Sequence, residues 1–111
     1  MEFRIFYTPD FEKQFKNLCK KYKSLPDDLA ALVNELKKNP AIGISLGNNC
    51  YKIRIAIKSK GKGKSGGARV ITFVFVSDSE VYLVTIYDKS DQASISRKEI
   101  LQLRRELKNR N

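Results

Sequence analysis

The chain has 111 residues, and 22 Lys and Arg against 12 Asp and Glu leave a formal net charge of +10. A hydrophobic share of 41% excludes a disordered chain and suits one modest core, read as a single domain over residues 1–111. No apolar run approaches the ~20 residues that cross a bilayer, and the start Met1-Glu-Phe-Arg-Ile-Phe-Tyr lacks the basic head and apolar core of a signal peptide, so no membrane partner and a cytoplasmic location are expected.

The charge excess attracts polyanions, of which nucleic acid is the commonest in a cell. Histidine is absent, and Cys19 and Cys50 stand without CxxC spacing. Two thiolates with no imidazole fall short of a zinc ligand set, so no metal or other cofactor is expected and both cysteines read as reduced, partly buried packing. Without histidine, proton transfer must fall to Lys, Asp, Glu, Tyr or water.

In chain order, Glu2 to Thr8 alternates and is rich in Phe, Ile and Tyr, which predicts a strand. Thr8-Pro9 then reads as a helix start, with Thr as cap and Pro at the first helical position. Phe11, Phe15, Leu18 and Tyr22 fall on one face of that helix, with Lys13, Lys16, Lys20 and Lys23 largely off it. Ser24-Leu25-Pro26-Asp27 restarts the pattern. Leu29, Leu32, Val33 and Leu36 predict a second amphipathic helix ending near Asn39-Pro40, and the short connection predicts an antiparallel hairpin. Residues 41–49 read as irregular.

Cys50 to Lys58 alternates, with Tyr51, Ile53, Ile55 and Ile57 on one face and Lys52, Arg54, Ala56 and Lys58 on the other. One face can join the core; the other is basic. Residues 59–67 are a basic, glycine-rich loop. Gly63-Lys64-Ser65 is not a P-loop: Lys58 stands where the pattern needs glycine, and a strand follows instead of a helix. The loop reads as a mobile connector whose Lys58, Lys60, Lys62 and Lys64 can meet phosphates. Ala68 to Val76 and Val81 to Tyr87 are dense in β-branched and aromatic residues and should pair as a hairpin.

Asp88 to Ser94 reads as a loop. Ser96-x-x-Glu99 matches a capping box, opening a helix with Ile100, Leu103 and Leu107 as its apolar stripe. Arg97, Lys98, Arg104, Arg105 and Lys108 make that helix basic. The order β-α-α-β-β-β-α predicts a small α+β fold: a mainly antiparallel sheet packed against an N-terminal helix hairpin. Lys52, Arg54 and Arg69, with the lysine loop and Lys89, form a cation set with no matching acids in the same stretch. Such crowding costs stability and is the footprint of a phosphate-binding surface.

These segments, Tyr51-Lys-Ile-Arg-Ile, Lys64-Ser-Gly-Gly-Ala-Arg-Val-Ile-Thr-Phe and Val84-Thr-Ile-Tyr-Asp-Lys89, resemble the RelE/ParE superfamily of bacterial type II toxin–antitoxin toxins. The Ser-Gly-Gly-x-Arg element is similar to the RelE/HigB branch. The resemblance implies a ribosome-dependent endoribonuclease that cuts mRNA without a metal, the ribose 2′-hydroxyl attacking the adjacent phosphate. It implies the ribosome, mRNA and a small cognate antitoxin as partners. It also implies Arg69 for transition-state charge, Lys52 as base, and Arg54 and Lys89 as phosphate ligands. Lys58, Lys60, Lys62, Lys64, Arg97 and Lys98 would meet RNA or ribosome. Many relatives carry a Tyr or His near the C-terminus, whereas this chain has no Tyr after Tyr87. That departure leaves a second reading, a non-enzymatic toxin-like binder such as a gyrase poison of the ParE sort.

Overall fold

The structure, a computed structural model, describes residues 2–91 and 94–108. Positions 92 and 93 of the expected 88–94 loop, and the side chain of Lys108, lie outside the described residues. The elements run β1 (Arg4–Tyr7), α1 (Pro9–Lys21), α2 (Leu25–Lys38), β2 (Ile44–Gly47), β3 (Cys50–Ile55), β4 (Ala68–Phe75), β5 (Glu80–Asp88) and α3 (Arg97–Lys108). They form a five-stranded sheet in the order β1-β5-β4-β3-β2. β1 joins β5 in parallel and the other pairings are antiparallel. The expected α+β architecture holds, with one strand more than the sequence suggested.

That extra strand is β2. It exists through a two-residue turn, Asn48-Asn49, whose residues both take positive φ (54° and 60°). Positive φ at both central residues is the requirement of the tight type I′ hairpin turn, and Asn tolerates it. The turn closes the Gly47–Cys50 pair and lays Ile44 and Ser45 beside Lys52 and Tyr51.

The helix ends follow local chemistry. Thr8 caps α1 by accepting from the Phe11 amide at 3.1 Å, with Pro9 in the first turn. Ser96 and Glu99 form the reciprocal box ahead of α3: the Glu99 amide donates to Ser96 Oγ at 3.1 Å and the Ser96 amide to Glu99 Oε1 at 3.2 Å.

The sheet has an apolar cluster on each face. On one, Phe11 of α1 and Leu25, Leu29, Leu32 and Leu36 of α2 pack against Ile53, Ile55, Val70 and Leu83. On the other, Ile71, Phe73, Val84 and Tyr87 are covered by Leu107, Leu103 and Ile100 of α3. The second face is therefore basic only toward the β3 end that carries Lys52 and Arg54; the rest is apolar and roofed by the closing helix. Arg104 holds that roof down, its guanidinium 5.8 Å from the Phe73 ring centre and donating to the Asn48 carbonyl.

β5 outruns β1, and α1 covers the difference. Gln14 Oε1 accepts from both the Ile86 amide and Thr85 Oγ1, each at 3.0 Å. A strand edge that would otherwise bury an unpaired amide is thereby satisfied by a helix side chain. Among the described residues, no helix is long and apolar enough to cross a membrane.

Candidate nucleic-acid interface and cleavage site

Three residues line up across the sheet. Arg54 of β3 stands opposite Arg69 of β4, and Arg69 stands opposite Tyr87 of β5. Strand register alone brings them together, because cross-strand partners share a face. Their surroundings differ. Arg54 is exposed, whereas Arg69 is 3% exposed. The Arg69 guanidinium donates to three backbone carbonyls: Lys64 at 2.8 Å, and Ala68 and Ser65 at 3.2 Å. Burial first, and then the charge on Arg54, push its pKa below the ordinary value, while Tyr87 pulls the other way.

Tyr87 was not singled out as a site residue from sequence. Its hydroxyl is buried with no hydrogen-bond partner among the described residues. Buried polar groups are nearly always paired, so an orphaned phenol beside a cation calls for an explanation. Burial raises its pKa; Arg69 lowers it and Glu99 of α3 raises it further.

The basic loop is built rather than loose. Lys58–Lys60 forms a 3₁₀ turn that ends at Gly61 in the left-handed region. Its backbone is tied to the start of α2: the Lys58 amide donates to Asp28 Oδ2 at 3.1 Å, and the Ser59 amide to Oγ of Ser24, the residue before the helix, at 2.8 Å. At the other end, a Cβ on Gly67 would lie 2.0 Å from the Ile55 carbonyl oxygen. That close approach explains the glycine just before β4.

Lys60 lies apart from the other loop lysines. Its ammonium sits 2.6 Å from Asp88 Oδ1 and 2.7 Å from Ser90 Oγ, and 5.5 Å from the centre of the Tyr22 ring. The sequence reading placed it among the loop lysines that can meet phosphates; the structure pairs it with Asp88. Asp88 also accepts from the Tyr22 hydroxyl at 2.5 Å and the Ser90 amide at 2.9 Å. Burial raises the Asp88 pKa, but the Lys60, Tyr22 and Ser90 hydrogen bonds and the Lys60 charge outweigh it and lower it to about 2. No sequence pattern marks this cluster, which joins residues 22, 60 and 88.

The other expected cations divide by position. Arg54, Lys58 and Lys64 line one groove of about 190 Å³ with Ile53 and Leu32. Lys52 is half-buried on the same strand, and Lys62 is exposed at the loop tip. Lys89 is placed by its amide, which donates to the Gly67 carbonyl at 3.0 Å and so tethers the end of β5 to the loop. Arg97 and Lys98 are exposed on α3, and Lys98 lines a different groove, with Gln14 and Thr85.

A five-stranded sheet with a helix pair on one face, a closing helix on the other and a cation row at the β3–β4 ladder is the architecture expected of the toxin family that the sequence resembles. The sequence profile of the RelE toxin of the RelE/RelB toxin–antitoxin system matches residues 3–109, and the chain belongs to that family. Solved structures agree on the fold. The isolated Escherichia coli RelE toxin superposes with a TM-score of 0.60 at 17% identity, over 93% of this chain and 97% of that one. A double arginine-to-alanine mutant of E. coli RelE in the free state gives 0.60 at 16%, over 84% and 90%. The toxin in the intact E. coli RelBE toxin–antitoxin complex gives 0.59 at 16%, over 78% and 95%.

Proposed function

We propose that this toxin is a cytoplasmic, ribosome-dependent endoribonuclease that cuts mRNA through attack of a ribose 2′-hydroxyl on the adjacent phosphate. The observation that carries the reading is the row Arg54–Arg69–Tyr87 at one end of the sheet. Cleavage of this kind needs an acceptor for the hydroxyl proton, positive charge for the phosphorane and a donor for the leaving oxygen. Lys52 takes the first role. Arg54 and Lys89 hold the phosphate. Arg69 adds charge from the neighbouring strand and keeps the loop closed through its carbonyl bonds. Tyr87, whose phenol is protonated at neutral pH as any tyrosine is, donates to the leaving oxygen.

Lys58, Lys62 and Lys64 then engage phosphates flanking the scissile bond, and Arg97 and Lys98 contact ribosomal RNA. The +10 charge suits a complex built on phosphate. It equally suits neutralisation by a small acidic or amphipathic antitoxin, which would cover the cation row or displace α3 from Ile71 and Phe73.

The test is a purified translation reaction programmed with one mRNA. Fragments bearing a 2′,3′-cyclic phosphate, formed only when ribosomes are present, are the expected result. An mRNA left whole while translation stops would overturn the nuclease reading.

A further inference from the structure

Two of the cations that look like phosphate ligands in the sequence are turned inward. Arg69 holds the Lys64 and Ser65 carbonyls, and Lys60 holds Asp88. The Lys60 side chain is only 9% exposed and that of Asp88 is fully buried. An ammonium has three N–H donors. Asp88 and Ser90 accept from Lys60, and the Tyr22 ring lies against it. With Asp88 and Ser90 accepting from it and the side chain so little exposed, the ammonium presents little surface to a phosphate.

Asp88 sits where three parts of the chain converge. It ends β5, pairs across the ladder with Ala68, and binds Tyr22 at the close of α1 and Lys60 at the close of the 3₁₀ turn. The next residue, Lys89, hydrogen-bonds back to Gly67 at the far end of the same loop. The Asp88 carboxylate thus holds the Lys60 root of the loop, and the neighbouring Lys89 amide holds the Gly67 root, so both are set against the end of β5. Between those roots, Lys62 and Lys64 are exposed.

We infer that Asp88 is a positioning residue: through Lys60 and Tyr22 it fixes the loop so that Lys62 and Lys64 are offered to an RNA backbone from a set geometry, and Lys60 itself contacts no phosphate. The inference rests on the proposed RNA-cleaving function for its purpose, but the latch can be tested without cleavage. Flexible glycine-rich loops lose entropy when they bind, and a loop tied beforehand avoids that loss.

Two measurements on the full-length chain decide it. The first is limited trypsin digestion of wild type, Asp88→Asn and Lys60→Gln, with thermal melts to confirm that each is folded. Cleavage after Lys62 and Lys64 is expected to quicken on the order of tenfold in both variants, because the loop opens locally. The second is salt-dependent binding of a short, unstructured, fluorescein-labelled RNA. Lys62→Gln and Lys64→Gln should each flatten the slope of log K against log salt by about 0.7, the value for one single-strand phosphate contact. Lys60→Gln should weaken binding while leaving that slope unchanged. Unchanged digestion in both variants would overturn the latch, and a slope loss for Lys60→Gln equal to that for Lys62→Gln would make Lys60 a phosphate ligand after all. Wild-type protein that binds no RNA would count against the proposed function, and the digestion would then decide the latch alone.

Discussion

Arg54 and Arg69 face each other across the β3–β4 ladder, one open to solvent and the other sealed under the loop. Like charges opposite one another in a sheet are destabilising. The pair is tolerated because Arg69 is held by three carbonyls while Arg54 extends into water. The arrangement separates an exposed cation from one held inside the fold, and the experiments below exploit that separation.

Arg54→Ala removes an exposed side chain, so stability should change by no more than about 0.5 kcal/mol. Cleavage should fall on the order of 10²-fold, the scale of losing one group that stabilises transition-state charge. A thermal melt beside a ribosome-dependent cleavage assay checks both. Arg69→Ala is the less clean experiment, because it also frees the Lys64 and Ser65 carbonyls.

Tyr87→Phe deletes a buried hydroxyl with no partner. Removing such a group is neutral or stabilising. If the phenol is the proton donor, cleavage should fall by about 10² or more while the melting temperature holds or rises. A variant that gains stability and keeps full activity would show that Tyr87 takes no part.

Thr72 provides a control for the same physics away from the cation row. It is fully buried in β4, and its Oγ1 also lacks a partner among the described residues. Thr72→Val should stabilise the fold by about 1 kcal/mol, read as a rise in melting temperature with activity unchanged.

The elements legible in the sequence were those set by neighbours along the chain. Thr8-Pro9, the two helical stripes and Ser96-x-x-Glu99 each act within a turn or two, and each forms as expected. β2 was missed because four residues containing a glycine carry little strand signal; the informative feature was the Asn48-Asn49 pair, which selects the tight turn. The apolar second face was half legible, since alternation on β3 showed only its basic end. Val84 adds a residue to β5 against β4, which blurs the period-two pattern leading to Tyr87. Among the cations, sequence gave charge and approximate place. It could not tell Lys60 from Lys62, because that difference depends on Asp88, 28 residues away in the chain.

Asp88 also gives a pH dependence with a definite sign. Its pKa is depressed in the fold, to about 2, from an ordinary 3.8. The stabilisation is therefore fully present above pH ~4 and is lost as pH falls toward ~2. On this basis Asp88→Asn should cost on the order of 2 kcal/mol at neutral pH, and the gap to wild type should close below pH ~3. Denaturant titrations of the two proteins at several pH values would show this convergence; a gap constant down to pH ~2 would mean that the carboxylate charge contributes nothing.

The most direct measurement is to induce the chain in bacterial cells and map mRNA 5′ ends by primer extension, beside Arg54→Ala. Ends that appear inside coding regions, need ongoing translation and vanish in the variant are the expected outcome. Growth arrest with no new mRNA ends would contradict cleavage and turn attention to a protein target such as gyrase.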